Sequence, residues 1–128
     1  MNQPTEPSVN ITAAHSEMSD ATDSPASSQS RKSSDSDAPA LRMVDVRKVY
    51  GSGENEVVAL DCDELVIEQD EIIALVGPSG SGKTTLCSIA GGLLQATEGT
   101  VEVAGRDITE LSAKQLTDFR RTAVGFVF

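Results

Sequence analysis

The sequence contains few of the side chains on which metal centres and disulfide-bonded folds depend. Its 128 residues include no tryptophan, one tyrosine, one histidine and two cysteines. Cys62 and Cys87 sit in apolar patterns, without a second cysteine or a histidine at metal-ligand spacing. We therefore interpret both as reduced thiols of an apolar core. His15 lies in a segment poor in apolar side chains, and we expect no catalytic role for it.

Basic side chains and long apolar runs are also scarce. The chain has 10 Lys and Arg against 20 Asp and Glu, so its net charge is −10. This acidic balance argues against non-specific binding to nucleic acid or to anionic lipid, because both recruit basic surfaces. No segment approaches the roughly 18 consecutive apolar residues of a membrane span. The sequence thus predicts a soluble chain without a nucleic-acid partner, and reduced thiols fit the cytoplasm.

Residues 1–40 have a composition that cannot build a core. They contain ten serines and four prolines, and after Ile11 their only large apolar side chain is Met18. Ordering a residue costs roughly 1–2 kcal/mol, which so little apolar area does not offset. A secretory signal is not expected either, because no apolar stretch follows a basic start. We predict a disordered, acidic, Ser/Asp-rich tail over 1–40 and a folded region over 41–128.

Apolar residues return at Leu41 in patterns typical of short strands. They first alternate with charged residues, and two further apolar runs follow at 57–60 and 65–67. Three strands so close along the chain predict an antiparallel layer. We interpret the acidic residues around the later runs as a solvated face rather than a metal site. The continuous apolar run 72–76 predicts a strand buried on both faces of a mainly parallel sheet.

The remaining sequence alternates between helix and strand patterns. Apolar residues recur at helical spacing from Leu86 to Leu94, which predicts an amphipathic helix that starts near Gly82. Alternation over 99–103 predicts a strand, and the apolar run 123–128 predicts another strand of the core.

A second helix is predicted by its start signal. Ser112 and Gln115 have the residue types of a capping box, in which each side chain bonds the other residue's backbone N–H. Leu116 and Phe119 would form the inward side of this helix.

A glycine-rich loop directly follows the 72–76 run. Residues 77–84 match the pattern Gly-x-x-x-x-Gly-Lys-Ser/Thr at every fixed position, between a predicted strand and a predicted helix. Glycines let successive backbone N–H groups turn toward one point at the positive end of the helix, which makes a cradle for polyphosphate. The pattern alone leaves ATPases, GTPases and small-molecule kinases open, and its non-functional alternative is a chance turn with a solvated lysine. The predicted phosphate-binding residues are Gly77, Pro78, Ser79, Gly80, Ser81, Gly82, Lys83, Thr84 and Thr85.

Three side chains at the end of this loop have separate expected roles. Lys83 would reach the β- and γ-phosphates as a point charge, and the Thr84 hydroxyl would coordinate Mg²⁺. Thr85 would donate a further hydrogen bond to phosphate.

Further short motifs accompany the loop. They are Gly91-Gly92-Leu93, Gly99-x-Val101, Gly105-x-Asp107-Ile108, Leu111-Ser112, Arg120-Arg121 and Gly125-Phe126-Val127-Phe128. Together with the loop they resemble the ATP-binding subunits of ABC transporters, in the branch that includes lipoprotein-release and macrolide-export ATPases. The likeness reaches upstream to about Val44, so it covers the predicted folded region and none of the tail.

The resemblance implies a fold, ligands and a base site. The fold is the α/β P-loop NTPase fold, here incomplete, with an antiparallel β-subdomain and a mostly parallel core sheet. The ligands are ATP and Mg²⁺. Tyr50 stands where this family places an aromatic residue that stacks on adenine, although the alternative of an ordinary tyrosine at the end of a strand stays open.

The resemblance also implies partners and a location. A second nucleotide-binding domain would sandwich ATP, and a membrane permease would dock the ATPase, which places it in the cytoplasm on the inner face of the cell membrane. The family's glutamine, signature motif, catalytic Glu and switch histidine all follow the segment that ends at Phe128. We therefore expect no catalytic residue within this fragment and no hydrolysis by it alone, with ATP hydrolysis that powers transport assigned to the complete parent protein. The alternative is a non-catalytic remnant that binds nucleotide weakly or not at all.

Overall fold

The computed structural model describes residues 37–128, which form an antiparallel sheet and two helices. The regular elements are β1 (Leu41–Tyr50), a 3₁₀ turn (Gly53–Asn55), β2 (Val57–Ile67), α1 (Lys83–Ala90), β3 (Glu98–Val103), β4 (Arg106–Asp107) and α2 (Ala113–Ala123). The strand order is β2-β1-β3-β4, and each neighbouring pair is antiparallel. This confirms the predicted antiparallel layer.

The predicted tail lies mostly outside the described residues, which begin at residue 37. The backbone of the part that is described contacts residues just after β2 and β3. The Ala38 carbonyl accepts a hydrogen bond from Gln69 Nε2 at 3.0 Å, and the Ala40 carbonyl accepts one from the Ala104 N–H at 3.0 Å. A boundary between tail and folded region at residue 41 therefore stays a proposal.

One continuous strand, β2, stands where two short strands were predicted at 57–60 and 65–67. The acidic residues between those runs do not interrupt pairing with β1, because their side chains are exposed to solvent while the backbone stays paired. Asp61 is exposed, and its Oδ2 lies 3.7 Å from Nε of Arg47 on β1. The neighbouring Cys62 is buried. The prediction of two strands was wrong because the solvent-facing charges of one strand were interpreted as a break.

A bulge in β1 changes which side chains face the core. Met43 and Val46 are both fully buried although they are three residues apart, and Asp45 between them has a positive φ of 50°. The register of β1 against β3 shifts at this point. Gly99 on β3 has a φ of 91°, and a Cβ there would collide with the Asp45 carbonyl. The bulge therefore needs glycine at position 99, both for its φ and for the close approach of the two backbones.

Both helices contribute to one hydrophobic core. Leu86 and Ile89 of α1 pack into the same cluster as the buried residues of the sheet, and Leu116 and Phe119 of α2 join them. These are the inward positions that the sequence predicted. Helix α1 ends at Ala90, before the helical pattern does, because the two glycines after it form its C-terminal cap.

Helix α2 begins with the predicted capping box. The Ser112 N–H donates to Gln115 Oε1 at 2.9 Å, and the Gln115 N–H donates to Ser112 Oγ at 3.3 Å. Near the other end, Arg120 Nη1 donates to the Gly92 carbonyl at 2.7 Å, which ties α2 to the turn after α1. Neither helix of the described part has the length and apolar content that a bilayer crossing requires.

The two apolar runs predicted as core strands, 72–76 and 123–128, are not strands in the structure. Ala123 belongs to α2, Ile72 is 83% exposed and Val127 is fully exposed. Instead of pairing, Leu75 of the first run and residues 123–128 border an open groove of about 810 Å³ beside α1. A strand needs a hydrogen-bonded neighbour, and none of residues 37–128 supplies one to either run. The prediction of two core strands was wrong for that reason, although Leu75 and Val124 are partly buried against the core. Residues 37–128 do not form the mostly parallel sheet.

The two cysteines differ in environment, and neither is in a disulfide. Cys62 is buried as predicted, and its burial, assisted by the Asp63 and Asp61 carboxylates, raises the pKa of its thiol. Cys87 is exposed, which corrects its assignment to the core. It follows Leu86 directly on α1, and adjacent helical positions point about 100° apart, so it lies off the buried stripe.

Candidate functional site

The glycine-rich loop folds into a tight turn at the start of α1. Gly80 and Gly82 both have left-handed φ angles, 80° and 89°. The Ser81 N–H between them donates to the Pro78 carbonyl at 3.2 Å, which closes the loop on itself. Because non-glycine residues rarely adopt these φ values, the two glycines allow the chain to reverse immediately before the helix.

Lys83, the first residue of α1, reaches back across the loop. Its ammonium donates to the Gly77 carbonyl at 2.6 Å, to the Pro78 carbonyl at 2.7 Å and to Ser81 Oγ at 3.0 Å. Three acceptors suit the three protons of an ammonium group. The positive charge is thereby held over the mouth of the loop rather than extended into solvent.

Ser81 is the buried polar residue of this loop, with 5% of its surface exposed. A Cβ on Gly77 would lie 2.8 Å from Ser81 Oγ, so the two residues can approach only because Gly77 has no side chain. The Ser81 hydroxyl lies beside Gly77, at the beginning of the loop, and accepts a hydrogen bond from the Lys83 ammonium. Ser81 therefore braces the loop from inside, and its burial gives it a role that its place in the motif alone did not reveal.

The N-terminal end of α1 presents unused backbone donors. Its cap residue, Gly82, makes no side-chain capping bond, and the first intrahelical bond runs from the Leu86 N–H to the Gly82 carbonyl at 2.8 Å. The N–H groups of Lys83, Thr84 and Thr85 therefore have no acceptor within the helix. Donors that converge at the positive end of a helix bind anions such as phosphate.

The donor set around the loop fits a magnesium ion only together with a phosphate ligand. Among residues 37–128 no group of three or more His, Cys, Asp or Glu side chains could hold a metal by itself. Thr84, exposed in the first turn of α1, has a hydroxyl oxygen that could serve as one ligand. Mg²⁺ in nucleotide sites takes few protein ligands and completes its shell with phosphate oxygens and water, so this sparse set is compatible with it.

Tyr50, the candidate for base stacking, ends β1 on the sheet. Its side chain is 48% exposed, and its partner in register, Val57 on β2, is 60% exposed. The Lys48 ammonium lies 5.1 Å from the centre of the Tyr50 ring, against one of its faces. The hydrogen bonds of the loop all stay within residues 77–86 and do not reach Tyr50. The structure thus gathers the predicted phosphate contacts in one place and puts Tyr50 on a separate element.

Lys48 was not predicted from the sequence as part of the site. A signal was available, because residues two apart on a strand point to the same face, and Lys48 and Tyr50 have that spacing. Whether the ammonium rests on the ring could only be seen in the folded chain.

Comparison with known proteins relates the chain to nucleotide-binding transporters. A family model described as ABC transporter matches residues 60–128. The macrolide export ATP-binding/permease protein MacB of Hyphomonas neptunium is 43% identical over 90 residues, and MacB of Escherichia coli K12 is 44% identical over 90 residues. Each match covers 70% of this chain and 14% of the relative. The chain therefore spans only about a seventh of the length of these curated relatives.

Solved structures show the same likeness. The dimeric, post-hydrolysis state of the ATP-binding cassette MJ0796, bound to ADP and Pi, is 39% identical with a TM-score of 0.66, over 69% of this chain and 38% of the cassette. A nucleotide-free cassette from an ABC transporter is 32% identical with a TM-score of 0.51, over 63% of this chain and 30% of that one.

Proposed function

Because the chain belongs to the ABC transporter family and has the fold of its ATP-binding cassettes, we propose that residues 77–85 bind the phosphates of ATP. The observation that carries the proposal is the arrangement at the start of α1. An ammonium, a glycine turn and uncapped helix N–H groups converge there.

Binding requires the Lys83 ammonium to change partners. Its present acceptors are two neutral carbonyls and a hydroxyl, and phosphate oxygens are anionic acceptors that bind an ammonium more strongly. We expect the ammonium to turn from the loop carbonyls to the β- and γ-phosphates. Thr84 would hold Mg²⁺, which when bound neutralises charge on the phosphates.

Tyr50 is our candidate for the base contact. Its exposed ring is free to stack, and stacking on a base typically contributes about 1–3 kcal/mol. This contact concerns adenine alone and leaves the triphosphate unaffected. Base and phosphate recognition are therefore separable by mutation.

We further propose that the complete ATPase hydrolyses ATP to power transport, with a permease and a second nucleotide-binding domain as partners. Two findings support this: the MacB relatives are ATP-binding/permease proteins, and the solved MJ0796 cassette is dimeric. A permease partner would place the ATPase on the cytoplasmic face of the membrane.

The proposal can be tested with the chain's own fluorescence. Tyr50 is the single tyrosine and the chain has no tryptophan, so tyrosine emission reports on this ring alone. We expect Mg-ATP to quench the emission saturably as adenine stacks, and tripolyphosphate to bind with little quenching. Calorimetry should show that Tyr50→Leu weakens Mg-ATP and leaves tripolyphosphate unchanged, with Val57→Ala at the neighbouring exposed position as the control.

Two results would count against the proposal. If Mg-ATP did not bind at all, phosphate recognition by residues 77–85 would be wrong. If Tyr50→Leu weakened ATP and tripolyphosphate equally, Tyr50 would not be the base contact, although the phosphate site would stand.

A further inference from the structure

The Tyr50 ring is supported on one side by a neighbouring cation. The Lys48 ammonium lies 5.1 Å from the ring centre, within the range of a cation–π interaction, and the Lys48 side chain is half-buried. Within the described part of the chain, no other cation or ring contacts Tyr50. An aromatic ring has two faces, so a planar ligand can stack only on the face that Lys48 leaves uncovered.

From this geometry we propose that Lys48 is a positioning residue of the base site, which fixes the Tyr50 ring and directs adenine to its opposite face. The proposal rests on the proposed function of Tyr50 and adds to it a residue that acts through the ring. Lys48 itself touches neither adenine nor phosphate in this proposal.

The backbone holds both residues on the same face of β1. After the bulge at Asp45, Val46, Lys48 and Tyr50 occupy every second position of β1, and Lys48 lies opposite the buried Leu60 of β2. The register against β2 shifts between Lys48 and Val49, but the contact of the Lys48 ammonium with the Tyr50 ring shows that these two side chains share one side of the strand. Val46 is fully buried in the core that includes α1, so Lys48 and Tyr50 continue the helix-facing side of the sheet. Without the bulge, Val46, Lys48 and Tyr50 would point to the other side.

A second contact fixes the strand between the two residues. The Val49 N–H donates to Thr97 Oγ1 at 3.0 Å, and the Thr97 N–H donates to the Arg47 carbonyl at 2.8 Å. Thr97 lies just before β3, so the end of β1 is attached to a neighbouring element on both sides of Lys48. The backbone is therefore held in place, and the remaining freedom of the ring is rotation of its own side chain, which the ammonium restricts.

The expected size of the effect follows from partial exposure. A cation–π contact at an exposed site corresponds to about a two- to fivefold change in an equilibrium constant. If Lys48 selects the ring position that binds adenine, its loss should weaken Mg-ATP by about that factor. Because the contact acts through the ring, tripolyphosphate affinity should not change.

The experiment uses the 128-residue chain and conservative variants. Lys48→Met removes the charge at nearly constant length, Lys48→Arg retains it, and Lys114→Met removes one charge from an exposed position on α2 as the matched control. Acrylamide quenching of Tyr50 emission without nucleotide measures cover of the ring. Calorimetry then measures the affinities for Mg-ATP and for tripolyphosphate, also in the Tyr50→Leu background.

The following results would support the role of Lys48 as a positioning residue. Lys48→Met increases acrylamide quenching and weakens Mg-ATP about two- to fivefold with unchanged tripolyphosphate affinity. Lys48→Arg restores both properties, Lys114→Met changes neither, and Lys48→Met has no further effect once Tyr50 is leucine. A merely structural role for Lys48 would weaken both ligands and would persist in the leucine background.

Other outcomes overturn the proposal. Unchanged or tighter Mg-ATP binding by Lys48→Met would show that the ammonium is indifferent or an obstacle to stacking. Equal loss for both ligands would make Lys48 a general charge or stability determinant. In these cases the wild-type chain still binds Mg-ATP and Tyr50→Leu still weakens it, so only the Lys48 proposal fails. If the wild-type chain did not bind Mg-ATP, the proposed function would fail, and the Lys48 proposal with it.

Discussion

Replacement of Lys83 by alanine should separate nucleotide binding from folding. The ammonium is held by the Gly77 and Pro78 carbonyls at 2.6 and 2.7 Å and by Ser81 Oγ at 3.0 Å. When ATP binds, Lys83 exchanges these neutral acceptors for anionic phosphate oxygens. The free energy that Lys83 contributes to binding is therefore the difference between its interactions with phosphate and those with the loop, not the energy of a full ion pair. A hydrogen bond to a charged group contributes about 1.5–3 kcal/mol, which corresponds to about 10- to 150-fold weaker Mg-ATP binding after its loss.

The same substitution should lower stability only modestly. Pro78 is exposed and Gly77 is half-buried, so water can reach both carbonyls that Lys83 leaves. The main cost is the hydrogen bond that the buried Ser81 hydroxyl loses, about 1–3 kcal/mol. Calorimetric titration with Mg-ATP and a thermal unfolding curve would be measured for Lys83→Ala and for Lys114→Ala, which removes an exposed lysine from α2. We expect a large loss of Mg-ATP affinity only in the first variant, together with a modestly lower unfolding midpoint in that variant. Unchanged Mg-ATP affinity in a folded Lys83→Ala protein would refute the reasoning.

Three further predictions concern the fold and its surface. Gly99→Ala should lower the free energy of unfolding by about 3 kcal/mol or more, because its Cβ would collide with the backbone of the bulge. Gly53→Ala, whose Cβ would meet nothing within 4 Å, should lower it by about 1–2 kcal/mol from the positive φ alone. Equal denaturant midpoints for the two variants would contradict this. Iodoacetamide at mildly alkaline pH should label the exposed Cys87 before Cys62, because burial raises the pKa of the Cys62 thiol and keeps it protonated. Peptide mass spectrometry measures the order of labelling, and earlier labelling of Cys62 would contradict the prediction. Removal of residues 1–36 should leave Mg-ATP affinity and the unfolding midpoint unchanged, since this segment contributes few apolar side chains, and a calorimetric loss of affinity would show that it supports the site.

The features that the sequence predicted correctly depend on residues close together in the chain. Helix α1 follows from the spacing of Leu86 and Ile89, and α2 from the pairing of Ser112 with Gln115 three positions later. The glycine loop is equally local, because its φ values and its turn are properties of a few consecutive residues. Such signals can be evaluated without knowledge of the rest of the fold.

The predictions that were wrong required knowledge of distant neighbours. The run 72–76 is apolar enough for a buried strand, but a strand also needs a partner, and residues 37–128 provide none for it. The single strand β2 was divided because cross-strand pairing, which carries it past Asp61, is not visible in its own residues. Cys87 was assigned to the core from apolar neighbours although its helical position points away from them.

The two halves of the candidate site differ in the same way. The phosphate half is built from consecutive residues, and Lys83 and Ser81 brace it by contacts within the loop. The base half depends on the bulge at Asp45, and the bulge depends on a glycine more than fifty residues later in the chain, Gly99. Changes in β3 should therefore disturb adenine recognition while phosphate recognition persists, because the bulge decides the face on which Tyr50 stands and the loop does not depend on it. We therefore expect a folded Gly99 variant to keep its affinity for tripolyphosphate and to lose its preference for Mg-ATP. This result would show that base recognition depends on the bulge and phosphate recognition does not.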